Sequence, residues 1–210
     1  MLTLREITSG LRSGFRLLLL DTQAVENFDP SKQAALRSFW TFLFLVPSSL
    51  LMGFYGNRPF FAHYGTGPSV WIVCQLLASA VALPLGLWLV WQAAQWENLS
   101  PHYPRYLNAG NWLAVAGTLA GLPAFFLSTS EFLPHHERMI IGTAWYFLAL
   151  AWNWFLAWRV FRCNPFYAAG LSILMPMTST IASDFVNLKL FGVTRPFEEQ
   201  WYIDLVSSAL

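Results

Sequence analysis

The sequence predicts an all-α polytopic membrane protein: a bundle of five transmembrane helices preceded by an N-terminal amphipathic helix at the membrane interface. Three observations carry this expectation. Only 11% of the 210 residues are charged, against 56% hydrophobic and 17% aromatic, and mean hydropathy is +0.45. Soluble domains carry roughly a quarter charged residues, so this chain cannot present a polar surface to water on all sides. The charges are also clustered, which leaves five long uncharged stretches, and those stretches are continuous apolar runs rather than the short alternating segments of a β-barrel.

The same composition excludes several classes. A soluble globular enzyme lacks its surface here, and a disordered chain would need low hydrophobicity. With 12 basic residues against 11 acidic ones, no excess charge remains to neutralise nucleic-acid phosphates.

The first element covers residues 1–38, a cytoplasmic or interfacial segment. Leu4, Ile7, Leu11, Phe15 and Leu18 recur at helical spacing, while Arg5, Arg12 and Arg16 share another face. That pattern describes a helix lying at the membrane surface, with the three arginines as candidates for binding it. The apolar run Leu17–Leu20 is too short for a signal peptide, and no small-residue cleavage site follows it.

Charged residues cost about 2.5 to 3.5 kcal/mol each at the centre of a spanning helix, so their absence marks the spans. The uncharged stretches run Ser38–Asn57, Pro59–Trp96, Tyr106–Ser130, Met139–Trp158 and Cys163–Ser183. Each holds the ~20 residues that cross a hydrocarbon core about 30 Å thick. Trimmed at their loop residues, they give spans near 39–57, 70–93, 107–128, 139–158 and 165–186, a transmembrane domain of 39–186. Asp29, Gly67 and Asn164 each precede a proline, and proline suits a first helical turn because its missing N–H has no helical partner there. The first span is therefore expected to begin as a helix near Pro30. Only Arg162, Cys163 and Asn164 remain for the turn between the last two spans, which should form an antiparallel hairpin.

Residues 187–210 make a short interfacial tail. Thr194, Pro196, Glu198 and Glu199 read as a helix start, with Phe197, Trp201 and Leu205 aligned on one face. With the N-terminus in the cytoplasm, that side carries 8 basic residues (Arg5, Arg12, Arg16, Lys32, Arg37, Arg105, Arg159 and Arg162) and the other side 4 (Arg58, Arg138, Lys189 and Arg195). The bias favours N-in and C-out in the cell's inner membrane. Cys74 and Cys163 then lie most of a membrane apart, beyond disulfide reach.

The side chains that could carry chemistry are few. His63, His102, His135 and His136 fall in loops, away from the facing helices a membrane haem needs. Glu131, His135, His136 and Glu137 cluster on the outer side, but adjacent ligands without a second pair favour a solvated loop over a metal site. Met175 and Met177 flank Pro176 and read as packing residues rather than a soft-metal relay. No cofactor or metal site is expected, and no catalytic motif occurs.

Internal prolines stand in four spans, at Pro47, Pro84, Pro123 and Pro176. Each can be a kink or a broken helix that exposes carbonyls to a solute. The one acid near a span is Asp184, preceded by Thr178, Ser179 and Thr180, and these four form the candidate polar intramembrane site. Gly117 and Gly121, with Ala120 and the neighbouring Gly110, Ala114, Ala116 and Ala124, form a small-residue stripe. Such stripes let helix backbones approach closely, so the third span is expected to be central. Gln75, Asn111 and Asn153 are candidate interhelical hydrogen-bonding groups.

A cytoplasmic segment ending in Phe28-Asp29-Pro30-Ser31, five closely spaced spans, and Asn111-Trp112 opening the third span resemble the Yip family of five-span membrane proteins in its bacterial branch. The resemblance covers most of the chain and implies an integral membrane protein, with no catalytic residues to carry over from the family. The expected function is non-catalytic: an organising or accessory subunit that binds the lipid bilayer, other membrane proteins or a second copy of itself. The alternative is a small-solute transporter or channel using the proline-broken helices, and an enzyme built on His135 and His136 ranks third.

Overall fold

The computed structural model describes residues 2–56, 68–130 and 132–191. Among them are α1 (Leu4–Leu18), α2 (Lys32–Ser38), α3 (Phe42–Gly56), α4 (Pro68–Trp96), α5 (Tyr103–Thr129), α6 (His135–Phe161) and α7 (Pro165–Phe191), joined in places by 3-10 turns, with no strand. Five helical stretches are long and apolar enough to cross a membrane: Lys32–Tyr55, Ile72–Trp96, Ser100–Thr129, His135–Phe161 and Pro165–Val186. Each overlaps one of the five uncharged stretches, and four of them run on over charged residues at their ends, among them Arg37, Arg105, Arg159 and Asp184.

The first span is composite. Ser31 Oγ accepts from the Ala34 N–H at 3.1 Å, so the helix starts two residues after Pro30, and α2, a 3-10 turn at Phe39–Thr41 and α3 follow without a loop. Pro47, Pro84, Pro123 and Pro176 all sit inside uninterrupted helices. The last two spans form the expected hairpin: Arg162 caps α6 in the left-handed region at φ 52, and Asn164 Oδ1 accepts from the Phe166 N–H at 2.8 Å. Helix α7 continues past the predicted end at 186 to Phe191. The proposed C-terminal foot, from Thr194 to Leu205, lies outside the described residues.

Helix α5 is the hub, packing against α1, α2, α3 and α6, while α4 pairs with α7 and α6 bridges the two groups. The buried core sits at one end of the bundle. It combines the C-terminal turns of α4 (Val90, Ala94) and α6 (Leu156, Val160, Phe161), the first turns of α5 (Tyr106, Ala109, Trp112) and α7 (Ala168, Leu171), and Leu17, Val25 and Phe28 from the N-terminal segment. Polar tips of this core are satisfied: Tyr103 Oη donates to the Leu87 carbonyl at 2.7 Å and Tyr167 Oη to that of Ala93 at 2.5 Å. Toward the other end, among the described residues, Cys74, Ala78 and Val186 form a small buried cluster. Both cysteines are free, Cys74 in that cluster and Cys163 against the main core.

Helix α1 differs from the expected picture in the face it uses. Its fully buried residues are Gly10, Ser13, Gly14 and Leu17; of the stripe of large apolar side chains, Ile7, Leu11 and Leu18 are half-buried against the core while Leu4 and Phe15 remain exposed. The reason is steric. A Cβ on Gly14 would lie 2.7 Å from the Trp112 carbonyl oxygen and 3.1 Å from the Ala116 Cβ, and one on Gly10 would overlap the Trp112 indole. Only the glycine face lets the α1 backbone approach α5 this closely.

Candidate functional site

Two regions combine chemistry with shape: the head, where α1 and α2 lie on α5, and the surface of the spans. The head is stapled by local sequence. Thr3 caps α1 reciprocally with Glu6, whose backbone N–H reaches Thr3 Oγ1 at 3.2 Å while the Thr3 N–H donates to the Glu6 carboxylate at 2.8 Å. The same carboxylate meets Arg37 of α2 at 3.2 Å. The hydrogen bonds from Thr3, reinforced by the Arg37 charge, hold Glu6 below its ordinary 4.5. At the other end of α1, Arg16 pairs with Asp21 at 2.6 Å. That guanidinium and the Gln23 N–H keep the Asp21 carboxyl below its ordinary 3.8.

The three arginines expected to meet the membrane therefore divide. Arg5 and Arg12 are exposed, whereas Arg16 is engaged with Asp21 within the chain. Leu19 and Leu20, at 82% and 52% exposure, extend the uncovered apolar edge of Leu4 and Phe15 past the end of α1. A polar pocket of about 250 Å³ opens between α1, α2 and α5, with Arg5, Glu6, Ser13, Arg37 and Asn108 among its walls.

The small-residue stripe of α5 also divides. Gly121 faces the Trp145 indole, where a Cβ would come to 2.5 Å, whereas a Cβ on Gly117 would meet nothing within 4 Å. Gly117 and Gly121 share a cavity of about 290 Å³ with Met52 and Asn153, and Ala120 is exposed. Asn111 Nδ2 donates to Ser38 Oγ at 2.8 Å, joining α5 to α2, while Asn153 Nδ2 donates to the Ala149 carbonyl within its own helix at 2.8 Å.

Thr178, Ser179, Thr180 and Asp184 do not share one face, because consecutive helical positions diverge by about 100°. Thr178 is buried and donates to the Leu174 carbonyl at 2.6 Å. Ser179 borders a cleft between α3, α4 and α7, Thr180 is exposed, and Asp184 is half-buried. On the other loop, His136 stands 4.0 Å from Glu137 and is well exposed. Glu131 lies outside the described residues, and among those described no three His, Cys, Asp or Glu side chains converge.

Sequence reasoning missed several residues that build the head. Gly10 and Gly14 form a small-xxx-small pair readable in the sequence, as is the Thr3-Leu4-Arg5-Glu6 capping signature. Asn108, whose Nδ2 donates to the Asp29 carbonyl at 3.2 Å, carries no such signal. No protein-family model, curated protein or solved structure matches the chain.

Proposed function

We propose that this chain is a non-catalytic, multi-pass protein of the inner membrane, N-terminus in the cytoplasm and C-terminus outside, acting as an organising or accessory subunit. It binds other membrane proteins, lipids or a second copy of itself. One observation carries the reading: the apolar windows of the five spans are only 17% to 28% buried within the chain, although α5 packs against four other helices. Apolar surface on this scale is covered by lipid or by partner helices. The Yip-like layout of a short cytoplasmic head and five close spans is part of the same proposal.

Gentle detergent extraction followed by native mass spectrometry tests it. A stoichiometric partner protein, a second copy or retained lipid is the expected result. A chain that emerges alone and lipid-free, yet carries solute flux in liposomes that Asp184→Asn abolishes, overturns it in favour of the transporter alternative. That alternative draws support from the cleft beside Ser179, which is bordered by three of the four proline-containing spans.

A further inference from the structure

The cleft between α3, α4 and α7 has a volume of about 650 Å³, within the range of small-molecule sites. It arises because α3 is anchored on α5 and touches α4 only slightly, so the ring of spans is loosely closed on that side. Its wall is apolar, including Leu45 and Met175, but Ser49 of α3, Gln75 and Ser79 of α4, and Ser179 of α7 also line it. Ser49, Ser79 and Ser179 each lie about two helical turns inside one end of their spans.

Serines in spanning helices ordinarily satisfy themselves on a carbonyl one turn back, as Ser48 does on Phe44 and Ser172 on Ala169. Among the described residues, the side chains of Ser49, Gln75, Ser79 and Ser179 make no such bond. Pro84 adds a fifth polar group, since it supplies no N–H to the carbonyl of Ala80, another wall residue. Polar groups from three helices thus meet in one apolar cleft at hydrocarbon depth, where an unmade hydrogen bond is expensive.

The wall chemistry selects its occupant. No wall residue is charged, so a phosphate or ammonium group there would be left uncompensated. A partner's spanning helix, ~30 Å long and ~10 Å across, is several-fold larger than the cleft. We infer that the cleft binds an uncharged, oxygen-bearing lipid, entering sideways from the bilayer, whose carbonyl or hydroxyl oxygen takes up to two hydrogen bonds from the set Ser49, Ser79, Ser179 and Gln75 while its chain lies against the apolar wall. This rests on the membrane-protein reading above and names the class of lipid.

The test uses the full chain in phosphatidylcholine vesicles with a photoactivatable long-chain ketone as probe and a photoactivatable phosphatidylglycerol as its charged counterpart. The ketone should label α3, α4 and α7 saturably. Labelling should fall at least about tenfold in Ser49→Ala/Ser79→Ala/Ser179→Ala, as expected for removing several hydrogen bonds. Ala80→Phe, which places a bulky ring at the exposed wall while leaving the serine hydroxyls in place, should abolish it with the melting temperature unchanged, and decides the matter should the triple variant not fold. Phosphatidylglycerol labelling should be indifferent to all of these changes. Ketone labelling that is unsaturable or survives both variants overturns the inference, as does a cleft labelled saturably by phosphatidylglycerol. A chain washed off the vesicles by carbonate overturns the membrane reading itself, whereas a retained but unlabelled chain overturns the cleft alone.

Discussion

The indole Nε1 of Trp152 donates to the carbonyl oxygen of Leu18 at 3.0 Å, across 134 residues of sequence. Leu18 is the last residue of α1, and a helix's final carbonyls have no partner within the helix. Helix α6 thereby caps α1, and Leu17 is buried beside this bond. Trp152→Phe should cost about 0.5 to 1.5 kcal/mol and selectively raise hydrogen exchange at residues 18–21. Equal exchange in the two proteins would show that this bond does not hold the end of α1.

The glycine face of α1 yields a steric prediction. Gly14→Ala pushes a methyl toward the backbone oxygen of Trp112, which cannot swing aside as a side chain would, and overpacking of this kind costs about 1 to 3 kcal/mol. Gly117→Ala on α5 meets open space and should be close to neutral. Thermal unfolding in detergent, together with protease sensitivity of residues 2–38, distinguishes the two. A loss of stability in Gly117→Ala equal to that in Gly14→Ala would refute the docking geometry.

Acid should loosen the head before it affects the spans. Glu6 and Asp21 are both more acidic in the folded chain than their ordinary 4.5 and 3.8, so the unfolded segment takes up protons first as pH falls. Their stabilisation is complete above the ordinary values and disappears as pH drops through the depressed ones. Proteolysis of residues 2–38 should be unchanged from neutral pH down to about pH 5 and accelerate below about pH 4. Glu6→Gln/Asp21→Asn should remove that acid step, and a step that persists in the double variant would place its origin elsewhere.

Electrostatic anchoring should depend unequally on the three α1 arginines. Each free arginine near an anionic surface is worth about 1 kcal/mol. Arg5→Gln/Arg12→Gln should therefore reduce crosslinking of α1 to anionic headgroups in vesicles and flatten its salt dependence. Arg16→Gln should change it less, because Arg16 already neutralises Asp21, and should instead loosen residues 19–22. Equal effects at all three positions would contradict this division.

The number of spans and their approximate ends were legible in the sequence because the transfer of each side chain into hydrocarbon is a local quantity that sums along the chain. Asn164 before Pro165 and the short turn at Arg162 were legible for the same reason, since caps and turns involve neighbours in sequence. Which face of α1 docks was not legible. Hydropathy ranks Leu4 and Phe15 above Gly10 and Gly14, but the contact is decided by whether two backbones can approach, and that depends on Trp112 and Ala116 about 100 positions away. The polar residues divide in the same way. Composition flagged Thr178 to Asp184 as one group, whereas the fold turns Thr178 inward and gathers Ser179 with Ser49, Gln75 and Ser79 from two other spans. The sequence alone determined that the chain is five apolar helices behind a charged helical head. Only the tertiary structure decided which surfaces those helices spend on one another and which they leave open, because shape complementarity is a property of pairs of helices and hydropathy is a property of one.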